Sequence, residues 1–268
     1  MPATLHLTYQ LDRPAPDDPT LALHAVLYGL IGNADPQLAQ RLHGAQLSPL
    51  SQHTARHSGF GGVLAGDART VQLRLNCLDD SLMELLRDAT TTGLPLPGVD
   101  GARLTGVIVG QSLSQWSYES LLDTPADEAQ LTFLTPTALR SGEQTCAEPR
   151  PTLIYHGLLR RWNAYSPRPF GREVWADLSD DLRLLHHQTR TVVLNVPGSR
   201  GRASLRAFTG DAGVAVARAR SAPALAALSR LVPFAGIGSK TVYGFGAAVS
   251  EARWSDGGSD FTFSGGLT

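Results

Sequence analysis

Hydrophobic positions alternate from Thr4 to Tyr9, with Leu5 and Leu7 facing one way, which is the period of a half-buried strand. The period then becomes helical, with Leu23, Val26, Leu27, Leu30 and Ile31 on one stripe behind an Asp18-Pro19 N-cap and first-turn proline. Asp35-Pro36 repeats that start signal and predicts a short second helix, which Gly44 would end in a left-handed cap. His43 then stands at a helix C-terminus. After a glycine-rich connection around Gly59, Gly61 and Gly62, Val71, Leu73, Leu75 and Cys77 alternate with Gln72, Arg74 and Asn76 as a second strand would. Asp79 or Asp80 caps a helix carrying Leu82, Leu85 and Leu86, and the turn residues from Gly93 to Gly101 lead to a strand near Leu104 to Val109.

The order of elements recurs in the second half. The patterning predicts a strand over Gln130–Leu134, a helix over Pro151–Ala164, strands over Arg190–Val196 and Ala203–Thr209, a helix over Pro223–Leu231 and a strand over Val242–Val249. Two β-α-β-β-α-β units make an α+β chain of two tandem ferredoxin-like (RRM-like) domains. The acidic, proline-bearing segment Asp123–Glu128 reads as a linker, giving domains 1–124 and 125–268.

Composition removes several classes. With 42% hydrophobic and 18% charged residues in 268, the chain has enough apolar surface for cores and is not read as disordered. The opening Met1-Pro2-Ala3-Thr4-Leu5-His6 is not patterned as a signal peptide, and no apolar run nears the roughly 20 residues of a spanning helix, so the chain reads as cytoplasmic with no membrane partner. Cys77 and Cys146 offer neither a disulfide framework nor a zinc spacing, and Cys77 reads as a small core residue. The net charge of −1 hides a split: residues 1–128 hold 7 arginines against 14 acids, and residues 129–268 hold 16 basic residues against 10 acids. A polyanion is therefore expected on the second half. Lys240 is the sole lysine of the chain.

That lysine lies within Phe234-Ala-Gly236-Ile-Gly238-Ser239-Lys240-Thr241-Val-Tyr-Gly244-Phe-Gly246. A Walker A loop fails because Ser239 precedes Lys240 where a glycine is required, and a dinucleotide fingerprint fails for want of its third glycine and a following βαβ unit. A flexible turn is one remaining reading. The other is an anion cradle, in which Gly236, Gly238, Gly244 and Gly246 let phosphates approach backbone amides while Ser239, Lys240 and Thr241 add donors and charge.

The pattern Gly-x-Gly-x-Lys-Thr-x-x-Gly-Phe-Gly after a short helix resembles the glycine-rich loop of the CRISPR repeat-processing endoribonucleases, members of the repeat-associated RNA-binding superfamily. Phe133-Leu-Thr-Pro136-Thr and Leu158-Leu-Arg160-Arg161-Trp162 are similar to family segments of the second domain. Leu27-Tyr28-Gly-Leu-Ile, with Asp35-Pro36 running to His43, is similar to the region where that family carries a catalytic histidine. The resemblance implies that His43 and Tyr28 are catalytic and that the partner is CRISPR repeat RNA in precursor CRISPR RNA, cut to mature guides without metal or cofactor. A CRISPR effector complex and a homodimer stay open as further assemblies. The alternative is a non-cleaving RNA-binding scaffold subunit of such a complex. Metal-free cleavage must deprotonate a 2′-hydroxyl and protonate a departing 5′-oxygen, work suited to an imidazole. A helix C-terminus favours positive charge, which suits a proton donor there.

The sequence departs from the family where some members carry a lysine shortly after the histidine, since Gln46–Gln52 holds no cation; Arg56 or Lys240 is left to supply the charge. His24, His53 and His57 rival His43, and His53 with His57 has a metal-like spacing only if helical. Arg160 and Arg161 are candidate phosphate contacts, with Arg168, Arg172, Arg200, Arg202 and Arg206 behind them. Trp162 and Tyr165 read as core or helix-face residues, and Asp79/Asp80 and Asp180/Asp181 as caps and solvated turns.

Overall fold

Two antiparallel four-stranded sheets carry the chain in a computed structural model that describes residues 1–13, 20–45, 47–54, 69–93, 105–142, 144–198 and 201–254. The Asp18-Pro19 cap, Gly59, Gly61, Gly62, Arg56, His57, Leu104 and Arg200 lie outside the described residues, as do the side chains of Leu23 and Arg202. One compact unit comprises Met1–Gln115 with Val242–Gly244, and the other comprises Trp116–Thr241 with Phe245–Thr268. Asp123–Glu128 falls inside the second, and Glu128 opens one of its strands.

In the first unit the elements run β1 (Ala3–Leu11), α1 (Thr20–Ala34), α2 (Pro36–Gly44), β2 (Leu50–Thr54), β3 (Thr70–Cys77), α3 (Asp80–Ala89) and β4 (Gly106–Gln115). The strand order β2-β3-β1-β4 is that of a ferredoxin-like fold. Central β1 pairs antiparallel with β3 through Leu5↔Leu75 and with β4 through Leu5↔Leu113. Leu5, Leu7, Val26, Leu27, Ile31, Leu73, Leu75, Leu82 and Leu86 close one core. Asp35 accepts the amide of Leu38 at 2.9 Å and Asp79 that of Leu82 at 2.8 Å, so both N-caps act as their sequence predicts. Gly44 does not: it ends α2 within the helix, and the chain leaves through Ala45 at φ −68°, so no left-handed cap forms. Cys77 is buried, and burial pushes its thiol up to about 12, which keeps it a neutral core group.

The second unit adds β5 (Glu128–Thr137), β6 (Leu139–Ser141), β7 (Gln144–Cys146), α4 (Pro151–Tyr165), α5 (Arg172–Asp181), β8 (Arg183–Gly198), β9 (Gly201–Ala215), α6 (Ala222–Ala235) and β10 (Ala248–Arg253). Its order β10-β5-β9-β8 repeats the ferredoxin-like pattern, with β6-β7 as a small separate hairpin. Trp162 and Tyr155 on α4 are fully buried, Tyr155 sharing a 2.7 Å hydrogen bond with Ser229 of α6. The strand expected over Val242–Val249 is corrected: Thr241–Tyr243 is a single 3₁₀ turn and extension resumes only at Ala248. Gly244 and Gly246 have φ of +87° and +68°, which no strand accommodates. The hairpin β6-β7 and helix α5 have no counterpart in the sequence reading.

Asp181 is also corrected. It is 3% exposed, not solvated, and accepts the amides of Ala217 at 3.2 Å and Arg218 at 2.9 Å. Among the described residues no helix is long and apolar enough to cross a membrane.

Asp181→Ala should destabilise the protein by about 2 kcal/mol in urea unfolding, because it strands two amides under a lost carboxylate. Burial alone would raise the carboxyl's pKa, but donation led by the Arg218 amide outweighs it and holds it below the ordinary value. The stabilisation is therefore present above the unfolded value of about 3.9 and fades as pH falls through the depressed folded value; acid titration of both proteins should show the gap between them closing there.

Candidate active site

Four rings gather in the first unit. His24 and Tyr28 are one turn apart on α1 and so share a face, and the short α2 turns His43 back toward them. The Tyr28 and His43 centroids are 5.3 Å apart with the rings at 90°, an edge-to-face pair. His24 lies 4.6 Å from Tyr28 and 6.1 Å from His43. On its other side it stacks on Tyr243 at 3.8 Å and 17°. His24 Nδ1 is 3.3 Å from the carbonyl of Val242, to which Gln52 Nε2 also donates. A carbonyl only accepts, so this geometry puts the His24 proton on Nδ1.

Electrostatics divides the roles. Burial, aided by nearby Tyr243, pushes the Tyr28 hydroxyl up to about 12, so at neutral pH it is a hydrogen-bond donor and not a base. Burial raises Tyr243 as well. His43 is exposed, where a substrate can reach it. A cluster holding an exposed imidazole beside a neutral phenol can donate a proton and a hydrogen bond to one small anionic centre. His53 sits on strand β2, where a helical i, i+4 relation does not apply. Among the described residues no three or more His, Cys, Asp and Glu side chains are arranged to hold a metal ion.

The glycine turn of the second unit differs from the cradle of free amides. The Gly236 amide donates to Val232, Ile237 to Gly246 at 2.7 Å, Ser239 to Ala138 at 3.0 Å and Gly246 to Pro136 at 3.0 Å. These four amides are occupied by backbone carbonyls. Gly236, Thr241, Gly244 and Gly246 are buried, while Gly238, Ser239 and Lys240 are partly exposed. The glycines are required by close approach: a Cβ on Gly246 would lie 1.9 Å from the Ile237 carbonyl oxygen, and one on Gly238 2.4 Å from that of Ala138. Lys240 itself holds φ +61°. Burial, then Arg140, lowers its pKa, which places a second cation near it.

Arg161 is not a surface contact. It is 8% exposed, donates from Nη2 to the Gly238 carbonyl at 3.3 Å, and burial lowers its pKa to about 10, still charged at neutrality. It braces the turn from beneath. Arg160 is exposed.

A family model described as CRISPR-associated endoribonuclease Cas6 matches residues 131–248. Among solved structures, Cas6 (TTHB231) of Thermus thermophilus, in a product complex, is 28% identical with a TM-score of 0.78, covering 93% of this chain and 100% of its own. These likenesses make the chain similar to the Cas6 endoribonucleases, by sequence over residues 131–248 and by fold over most of its length. The matched model is that of an endoribonuclease, an RNA-cleaving enzyme. Cas6 (TTHA0078), 22% identical with a TM-score of 0.73 over 94% of this chain and 99% of its own, shares the fold, as does a Cas6-related protein from Pyrococcus furiosus at 11% and 0.58 over 92% and 98%. No curated protein matches the sequence.

The structure brings together His43 and Tyr28, the expected pair, with their rival His24, and the i, i+4 spacing of His24 and Tyr28 is the sequence signal of that shared helix face. Tyr243 was missed, since it reaches His24 from far along the chain and carries no local signal.

Gly246→Ala should lower stability by about 1–3 kcal/mol, since the new methyl meets a backbone oxygen and the residue must hold positive φ. Urea midpoints of the variant and the parent protein measure it.

Proposed function

We propose that this chain binds CRISPR repeat RNA and cleaves precursor CRISPR RNA within its repeats by metal-independent transesterification, with His43 and Tyr28 as the catalytic groups. The observation that carries the reading is the edge-to-face pairing of His43 with Tyr28 at 5.3 Å, one ring exposed and the other held neutral. The match of residues 131–248 to a Cas6 endoribonuclease model, with a 28% identical Cas6 solved in a product complex, supports RNA as the ligand.

In the proposed reaction the 2′-hydroxyl loses its proton to solvent and its oxygen attacks the adjacent phosphorus. The P–O5′ bond breaks as His43 gives its proton to the departing 5′-oxygen, leaving a 2′,3′-cyclic phosphate and a 5′-hydroxyl. Tyr28 donates a hydrogen bond to a non-bridging oxygen as charge builds there. We place domain 1–124 as the catalytic half and domain 125–268 as the RNA-binding half. In the latter, Lys240 with Ser239 at the tip of the glycine turn, and Arg160, contact phosphates through side chains. Gly236, Gly238, Gly244, Gly246 and Arg161 shape that surface from within, and Thr241 supports it.

Incubating a cognate repeat RNA with the protein in excess EDTA tests the chemistry. Cleavage should persist, stop with a 2′-deoxy nucleotide at the scissile position, and fall roughly 10²–10⁴-fold in His43→Ala. A His43→Ala protein that cuts at the parent rate would overturn the assignment, and a parent protein that binds without cutting would make the chain a scaffold subunit. Lys240→Ala should weaken RNA affinity and reduce the slope of log K against log salt by roughly 0.7–0.9, read from filter binding across a salt series.

A further inference from the structure

A cleft of about 490 Å³ opens between α4 and α5 in the second unit, lined by His156, Arg160, Asn163, Phe170, Arg172 and Trp175 among others. Its size falls within the roughly 300–1,000 Å³ of small-ligand sites. Helical spacing explains its composition. His156, Arg160 and Asn163 recur at four and three residues along the outer face of α4, while Tyr155, Leu158 and Trp162 occupy the buried face. Arg172 and Trp175, three apart, bring the first turn of α5 to the same opening.

The walls are aromatic and fixed. His156 and Trp175 have ring centroids 4.8 Å apart at 42°, and Phe170 stacks on buried Trp162 at 5.1 Å. The connecting loop is clipped to α4 through both backbone groups of one residue: Asn163 Nδ2 donates to the Phe170 carbonyl at 3.1 Å and the Phe170 amide donates to Asn163 Oδ1 at 2.8 Å. Trp162 Nε1 adds a bond to the Arg168 carbonyl at 2.8 Å. A ligand would meet a surface already in place, which lowers the entropic cost of binding it.

The rim is cationic. Arg160 and Arg172 are exposed, and neither forms an ion pair among the described residues. Nearby acids are engaged elsewhere: Asp177 pairs with Arg220 at 2.8 Å, and the Glu173 carboxylate folds back over Gly171 at the start of α5, where the helix dipole favours it. Two guanidinium groups beside an aromatic wall suit a ligand that is planar at one end and anionic at the other, which describes a nucleotide.

We infer that the α4–α5 cleft takes an unpaired nucleotide of the bound RNA, its base against Trp175 and His156 and its phosphate between Arg160 and Arg172. The inference rests on the RNA-binding part of the proposed function and adds a contact outside the catalytic rings. It assigns a specificity for single-stranded over paired nucleotides at that point, because only an unstacked base offers its face.

The test uses the full chain and a repeat RNA with single-stranded flanks, carrying 5-iodouridine at successive positions and a 2′-deoxy block at the scissile one. Irradiation should yield a crosslinked peptide containing Trp175 from a flank position. Trp175→Ala should weaken binding of this RNA about tenfold, within the ~1–3 kcal/mol of base–aromatic stacking, and Trp175→Phe should recover most of it. Arg160→Ala with Arg172→Ala should lower the salt slope by about 1.4. If the crosslinks avoid α4 and α5 and Trp175→Ala binds as the parent does, the inference is overturned and the cleft serves another occupant, such as a protein segment. Cleavage by the parent protein separates the two readings. A protein that cuts but never crosslinks at Trp175 keeps its nuclease assignment and loses the cleft, and one that crosslinks there but never cuts keeps the cleft and loses the nuclease.

Discussion

The Ile237 amide donates to the Gly246 carbonyl across a separation that no Cβ could share, and the chemistry available to the glycine turn follows from that closure. Once the amides of Gly236, Ile237, Ser239 and Gly246 have carbonyl partners, they cannot also receive a phosphate without breaking the turn. The glycines therefore serve backbone proximity, and Ser239 and Lys240 are the partly exposed polar side chains of the turn. Arg161 fits the same logic from below, a charged group placed under the turn where it satisfies the Gly238 carbonyl.

The aromatic group of the first unit depends on a different economy of protons. Tyr28 is held neutral by burial, so its hydroxyl is a donor across the whole physiological range, while His43 faces solvent. A pair so divided leaves one ring open to solvent and keeps the other a hydrogen-bond donor. Tyr243, stacked on His24, and the Val242 carbonyl fix the orientation of a third ring beside them.

Much of the architecture could be read from periodicity. The alternation of β1 and β3, the stripe of α1 and the Asp35 and Asp79 caps are local signals, and each became the element its residues announced. What could not be read lay where tertiary contacts override local preference. Val242–Val249 has strand-like residues at its ends, yet two glycines at positive φ and their carbonyl partners forbid extension between them. Asp181 looks like a solvated acid in sequence because the amides it accepts come from residues 217 and 218, beyond any local window. Arg160 and Arg161 are adjacent and chemically identical, and only the packing of α4 decides that one faces water and the other the core. At the candidate site, a family resemblance pointed to His43 and Tyr28, whereas Tyr243 needed the fold to carry it to His24.

Lys240 illustrates a conflict between backbone and side chain. Its φ of +61° belongs to the left-handed region, where a residue with a Cβ is disfavoured by roughly 1–2 kcal/mol relative to glycine. Partial burial beside Arg140 adds a second unfavourable influence on its charge. Saturation mutagenesis scored by thermal tolerance alone would thus rank glycine and asparagine above the native residue, so an optimisation blind to ligands would erase the chain's single lysine.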